Sequence, residues 1–167
     1  AGVNTAWLTS ALFNTLVDLD PACFAGLRQL LVGGDLVSPH HVARVYAHCP
    51  EIQIINGYGP TENTTFTACY PIPRDWPATR SVPIGKPIRG TAAYVLDVDG
   101  RPAPHGVTGE LVVTGAGVAV GYLGQPDLTA RAFTTLALAD GMHRCYRTGD
   151  HAWADADGVL HFTGRRD

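Results

Sequence analysis

Apolar positions change period several times along the first sixty residues, and each change marks an element. Trp7, Leu8, Leu12, Phe13, Leu16 and Val17 recur at helical spacing, which predicts a helix over residues 5–18. Asp20-Pro21 ends it, because the residue before a proline is disfavoured in the helical region. Leu27 to Val32 predicts a short buried strand, stopped by Gly33-Gly34-Asp35. Ser38-Pro39 opens a second helix, with serine as N-cap and proline at the first helical position. Pro50 ends that helix after about His48, and the apolar run Ile52 to Ile55 is the next buried strand. Strand, helix and strand in this order predict a parallel pair joined by a right-handed crossover.

The pattern shifts at Pro71. Pro71, Pro73, Pro77, Pro83 and Pro87 interrupt residues 71–90, which read as a proline-rich linker on the surface. Beyond it short strands dominate: Thr91 to Leu96, a turn at Asp97 to Gly100, then Glu110 to Thr114. One short helix is predicted over Asp127 to Phe133. Strands follow at Cys145 to Arg147, His151 to Ala154 and Val159 to Thr163, with Asp157-Gly158 as a hairpin turn. The fold class expected is α/β. Residues 1–70 form part of an α/β subdomain with parallel strands, and residues 91–167 a small β-barrel or distorted antiparallel subdomain.

Composition narrows the function. The 167 residues suffice for a real core, and charged residues make up 16% against a typical ~25%. That deficit predicts a surface that meets other protein. A net charge of −3 gives no electrostatic case for nucleic acid. Cys23, Cys49, Cys69 and Cys145 form no CxxC pair or zinc spacing, so free, buried thiols in a reducing compartment are expected. The sequence shows no signal peptide or membrane-length apolar run, and a cytoplasmic protein with no membrane partner is expected.

The candidate chemistry centres on Asn56-Gly57-Tyr58-Gly59-Pro60-Thr61-Glu62, which follows the Ile52–Ile55 strand. Two glycines and a proline predict a turn where that strand ends, the edge of an α/β sheet where ligands sit. Tyr58 can stack on a base, Thr61 can donate to a phosphate, and Glu62 can hold Mg²⁺, which favours one or two carboxylates plus phosphates. The same residues also fit a plain turn with a solvated glutamate. Elsewhere the simpler readings prevail. Gly33-Gly34-Asp35 lacks the GK[ST] of a phosphate loop, and adjacent His40-His41 do not share a helix face. Asp155 and Asp157 lack further calcium ligands. Gly115-Ala116-Gly117 carries no dinucleotide fingerprint.

Downstream come Gly109-Glu110-Leu111-Val112-Val113-Thr114-Gly115, Gly121-Tyr122-Leu123, Tyr146-Arg147-Thr148-Gly149-Asp150 and Gly164-Arg165-Arg166-Asp167. In this order the five motifs resemble the adenylation domains of nonribosomal peptide synthetases, in the superfamily of acyl-CoA synthetases and firefly luciferase. The resemblance implies activation of an amino acid by ATP, with Mg²⁺, to an aminoacyl-AMP. Loading onto the phosphopantetheine thiol of a carrier-protein domain would follow. It matches Asn56 to the reader of the adenine amino group, Gly57 to its neighbour in the site, and Tyr58 to the ring stacked on adenine. Thr61 matches an α-phosphate contact and Glu62 the Mg²⁺ ligand. Asp150 matches the ribose-binding carboxylate, Arg165 a position near ribose and phosphate, and Asp167 the hinge to a C-terminal domain. Phe162 stands where the family often has tyrosine, so a phenol bond to ribose is lost. Asn14, Leu31, Gly33, Gly57, Thr65 and Phe66 match the substrate pocket, which suits an amino acid of modest size, aliphatic or hydroxylated.

Three family features have no match in these residues: the Ser/Thr/Gly-rich phosphate loop, the aspartate that anchors the substrate amino group, and the catalytic lysine. The chain's one lysine, Lys86, reads as a surface residue in a loop. The resemblance thus implies an excised segment, residues 1–70 being the C-terminal part of the α/β subdomain, and the isolated segment is expected to be inactive. Expected partners are the remainder of the adenylation domain, the carrier domain and a small helper protein. An acyl- or aryl-acid ligase of the same superfamily and a non-catalytic interaction fragment remain as alternative readings.

Overall fold

The computed structural model describes residues 2–138 and 141–165, which fall into two units. The first comprises the chain up to Tyr58 together with Cys69–Gly85. It begins with β1 (Thr5–Thr9), α1 (Ser10–Leu19) and a 3-10 turn (Pro21–Phe24). Then come β2 (Gln29–Gly33), α2 (Pro39–His48), β3 (Gln53–Tyr58) and β4 (Ala68–Pro71). The sheet order is β1-β2-β3-β4. β1 runs parallel to β2 from Thr5↔Gln29 to Thr9↔Gly33, and β2 parallel to β3 from Gln29↔Gln53 to Gly33↔Gly57.

The first departure from expectation is β1, since residues 5–9 were predicted to be helical. Trp7 and Leu8 fit either period, and the pairing with β2, twenty-four residues away along the chain, decides for strand. The helix starts only at Ser10, where the Thr9 side chain caps it by accepting from the Leu12 amide. It ends at Leu19, before Asp20-Pro21 as predicted. α2 begins at Pro39 with Ser38 as N-cap and ends at His48, also as predicted.

Period-2 alternation sends Leu30, Val32 and Ile54 into a core with Phe13 and Val17 of α1 and Val42, Val45 and Tyr46 of α2. The Tyr46 hydroxyl sits inside this core without penalty, because it donates to the Ile72 carbonyl at 2.6 Å and accepts from the Ile54 amide at 3.0 Å. Ile72 and Val82 belong to the same core. The proline-rich stretch is therefore not wholly a surface segment: Ile72, Val82 and Ile84 are buried, whereas Ile88 is exposed.

The second unit comprises Gly59–Ala68 and the chain from Lys86 onward. It holds a 3-10 turn (Thr61–Asn63), the two-residue β5 (Lys86–Pro87), β6 (Thr91–Leu96), β7 (Gly109–Gly115) and α3 (Pro126–Ala132). β8 (Phe133–Leu138), β9 (Gly141–Ala154) and β10 (Leu160–Arg165) complete it. The sheet is antiparallel in the order β10-β9-β7-β6, with β8 also on β9. It matches the antiparallel form of the expected β subdomain. Residues 145–147 and 151–154, predicted as two strands, are one strand of 14 residues. Leu111, Val112, Val113, Phe133, Cys145 and Tyr146 are buried on it. All four cysteines are free; Cys49 and Cys145 are buried as expected, whereas Cys23 is exposed.

Candidate active site

The turn expected to begin at Asn56 begins after Tyr58, because parallel pairing with β2 carries β3 on through Gly57. Asn56 shares the helix-covered face with Ile54. It is 5% exposed, and its Nδ2 donates to the Pro83 carbonyl at 2.8 Å. Leu31, Gly33 and Gly57 lie on the other face. A Cβ on Gly33 would fall 2.1 Å from the Gly57 carbonyl oxygen, so this position admits only glycine. Asn14 lies on α1. Its Oδ1 is buried without a hydrogen-bond partner. Tyr58 is half-buried at the end of β3.

In the second unit Gly59 lets the chain fold back on itself: a Cβ there would lie 2.4 Å from the Thr65 carbonyl oxygen and 2.8 Å from Phe66 Cα. Between these points Thr61–Asn63 make the 3-10 turn, and Thr64 and Thr65 follow at φ 45° and 72°. Two successive β-branched residues in the left-handed region are strained, and such strain persists only where surroundings enforce it. The Thr64 hydroxyl donates to the Gly117 carbonyl at 2.8 Å, the buried Asn63 Nδ2 donates to Thr67 Oγ1 at 2.8 Å, and the Ala119 amide donates to the Glu62 carbonyl at 2.8 Å. Gly117 approaches so closely that a Cβ would meet Asn63 Oδ1 at 2.8 Å. The Gly115-Ala116-Gly117 glycines thus serve a close approach, in keeping with the structural role predicted for them.

Glu62 is held by phenols. The Tyr122 hydroxyl donates to Glu62 Oε1 at 2.6 Å, and Tyr146 is in hydrogen-bonding contact with both. Burial raises the Glu62 pKa, but hydrogen bonds from Tyr122, its own backbone amide and Tyr146, with the charge of Arg165, outweigh it and hold the carboxyl below its usual range. Burial and the bond to Glu62 push the Tyr122 phenol up, and burial, the bond to Tyr122 and the Glu62 charge push the Tyr146 phenol up. Tyr122 is itself fixed: its amide donates to Thr129 Oγ1 at 2.9 Å, and its ring lies 5.4 Å from that of Phe133. Neither tyrosine had a role assigned from sequence, although each lies in one of the five motifs. Only the fold joins two residues sixty and eighty-four positions beyond Glu62.

Asp150 sits at a β-bulge. Glu110 pairs with His151 and Val112 with Arg147, so Leu111 alone faces Thr148, Gly149 and Asp150. Gly149 takes φ 72° there. The buried Thr148 hydroxyl locks the bulge, donating to the Leu111 carbonyl at 2.7 Å and accepting from the Asp150 amide at 3.0 Å. Asp150 is 8% exposed. Directly across the β9–β10 pair stands Arg165, whose Nη1 is 3.6 Å from Asp150 Oδ1. Phe162 is half-exposed opposite Ala152. Asp167 lies outside the described residues.

Among the described residues no three His, Cys, Asp or Glu come together as a metal site. His41 is taken up by Ser38 and Asp18, and Asp155 by its own turn and His161. Lys86 is exposed. No helix among the described residues is long and apolar enough to cross a membrane.

The model of the AMP-binding enzyme family matches residues 1–123, and the chain belongs to that family. Tyrocidine synthase 3 of Brevibacillus parabrevis is 48% identical over 165 residues, 99% of this chain and 2% of that protein. Gramicidin S synthase 2 of Brevibacillus brevis is 47% identical over 165 residues, 99% of this chain and 4% of that protein. Among solved structures, PA1221, an NRPS protein containing adenylation and PCP domains, superposes with a TM-score of 0.93 at 49% identity. That match covers 98% of this chain and 33% of PA1221. The Klebsiella oxytoca NpsA N-terminal subdomain, in complex with 3-hydroxybenzoyl-AMSN, gives 0.90 at 31% identity over 98% of this chain and 42% of that one. The chain thus spans a small part of the curated relatives it matches.

Proposed function

We propose that the chain is a segment of an amino-acid adenylation domain in nonribosomal peptide synthesis. The carboxylate of an amino acid attacks the α-phosphorus of ATP, the bond to pyrophosphate breaks, and aminoacyl-AMP forms. The phosphopantetheine thiol of a carrier domain then attacks the aminoacyl carbonyl, forming a thioester as the acyl–phosphate bond breaks and AMP leaves. The observation that carries this reading is Glu62, a carboxylate kept ionised on a strained turn directly after Thr61. Positioning and charge stabilisation are most of what such chemistry asks of a protein.

The donor chemistry at Glu62 fits Mg²⁺, which accepts a single ionised carboxylate and fills its remaining positions with phosphates and water. Glu62 would hold that ion, which when bound neutralises phosphate charge. Thr61 would donate to the α-phosphate. Asp150 would accept from both ribose hydroxyls, as a carboxylate with two oxygens can, with Arg165 beside it. Asn56 has its Nδ2 committed to Pro83, so its Oδ1 is the atom that would accept from the adenine amino group. Tyr58 would stack on adenine, with Gly57 leaving room beside it. Phe162 would pack near the nucleotide without a hydroxyl to offer. Leu31, Gly33, Gly57, Thr65 and Phe66 would belong to the substrate pocket, with Asn14 supplying a polar group. Asp167 would be the hinge. The remainder of the adenylation domain, a carrier domain and a small helper protein would be partners, and the 167 residues by themselves would not turn over.

Amino-acid-dependent ATP–pyrophosphate exchange by the complete protein tests this, with a panel of amino acids, aryl acids and fatty acids as substrates. Exchange with an amino acid, and a large fall in kcat for Glu62→Gln, are expected. Exchange only with aryl or fatty acids would favour an acyl- or aryl-acid ligase, and none with any acid would favour a non-catalytic fragment.

A further inference from the structure

We infer that Tyr122 is the positioning residue for the Glu62 carboxylate. The inference rests on the reading of Glu62 as the ligand of a divalent ion bound with nucleotide. Glu62 stands on a turn of three residues followed by two left-handed threonines, so its backbone alone gives the side chain little constraint. A glutamate has three rotatable bonds, and ordering such a side chain is opposed by conformational entropy. Tyr122 removes that freedom at the far end. Its hydroxyl donates to Oε1 at 2.6 Å, the distance of a hydrogen bond to an ionised acceptor. Oε1 is thereby occupied and the carboxylate orientation fixed.

Tyr122 can do this because its ring and its backbone are both anchored. Its ring packs edge-on to Phe133 at 5.4 Å, and Phe133 in turn lies 5.1 Å from the Tyr146 ring. Its amide is tied to Thr129 Oγ1, and a Cβ on the preceding Gly121 would sit 2.5 Å from Thr129 Cγ2, so the loop lies directly on α3. Arg144 also holds this loop, donating to the Val120 carbonyl at 2.8 Å, with its guanidinium 4.8 Å over the Phe133 ring. The Ala119 amide reaches the Glu62 backbone carbonyl. One loop therefore fixes both the backbone and the head group of Glu62.

The test compares Tyr122→Phe, Glu62→Gln and the double variant in the complete protein. Tyr122→Phe keeps the ring on Phe133 and removes only the hydroxyl; an unchanged near-ultraviolet circular dichroism spectrum checks the fold. Mn²⁺ affinity is measured by electron paramagnetic resonance in saturating α,β-methylene-ATP, alongside the Mg²⁺ concentration for half-maximal pyrophosphate exchange. Losing a hydrogen bond to a charged group should weaken Mn²⁺ binding about tenfold in Tyr122→Phe. The double variant should bind no more weakly than Glu62→Gln, because the hydroxyl acts only through that carboxylate. If Glu62→Gln weakens Mn²⁺ binding and Tyr122→Phe leaves both measurements unchanged, the inference is overturned and the reading of Glu62 stands. Additive losses in the double variant would also overturn it. If Glu62→Gln itself leaves Mn²⁺ affinity unchanged, the assignment of Glu62 as the ligand fails and the inference with it.

Discussion

Thr148→Val isolates the hydroxyl that locks the bulge beneath Asp150. Valine has nearly the shape of threonine, and the site is 3% exposed, so packing is kept while two hydrogen bonds are lost. The Leu111 carbonyl and the Asp150 amide are left with no partner from this side chain. Each such bond contributes about 1 kcal/mol net, and a buried group left unpaired costs about 1–3 kcal/mol. The two together give about 2–4 kcal/mol, or roughly thirtyfold to several hundredfold in the local opening constant at 1.4 kcal/mol per decade. Native-state hydrogen exchange of the complete protein, read by mass spectrometry on peptides spanning residues 145–152, measures that constant directly. Thr148→Ser keeps the hydroxyl and loses one methyl, worth about 0.8 kcal/mol or roughly fourfold. The expected order is therefore valine far above serine. Equal exchange in the two variants, or a change under about threefold in the valine variant, would refute the claim that the hydroxyl holds the bulge.

Three further predictions follow from the same geometry. Asp150→Ala should weaken ATP roughly tenfold to a hundredfold and 2′,3′-dideoxy-ATP much less; equal losses measured by nucleotide titration would make Asp150 structural. The Glu62 carboxyl has a lower pKa folded than unfolded, so the unfolded chain binds the extra proton between the two values. Its stabilising contribution is fully present above the ordinary carboxyl range and is lost as pH falls through the folded value. Glu62→Gln should therefore flatten the acid limb of an unfolding-midpoint series against pH, and an identical limb would count against the cluster. Ser38→Ala removes the N-cap of α2 and should destabilise by about 1 kcal/mol, read as faster amide exchange at its first turn, including the His41 amide that donates to Ser38.

Local chemistry was enough to place much of this chain. Ser38-Pro39 marked the start of α2, Asp20-Pro21 the end of α1, and the runs Thr91 to Leu96 and Glu110 to Thr114 the strands β6 and β7, because caps, prolines and short apolar runs act within a few residues. The motif order gave the family and the principal candidates Thr61, Glu62, Asp150 and Arg165. Tertiary structure decided what depended on distant partners. β1 is a strand because β2 pairs with it, and β3 extends through Tyr58 because Gly33 and Gly57 complete its register. β9 is unbroken because β7, β8 and β10 all pair with it, absorbing Thr148-Gly149-Asp150 as a bulge. The phenols around Glu62 were out of reach for the same reason. A hydrogen bond between residues 62 and 122 leaves no periodic trace along the chain, since it exists only once loop, helix and sheet have packed to hold both ends in place.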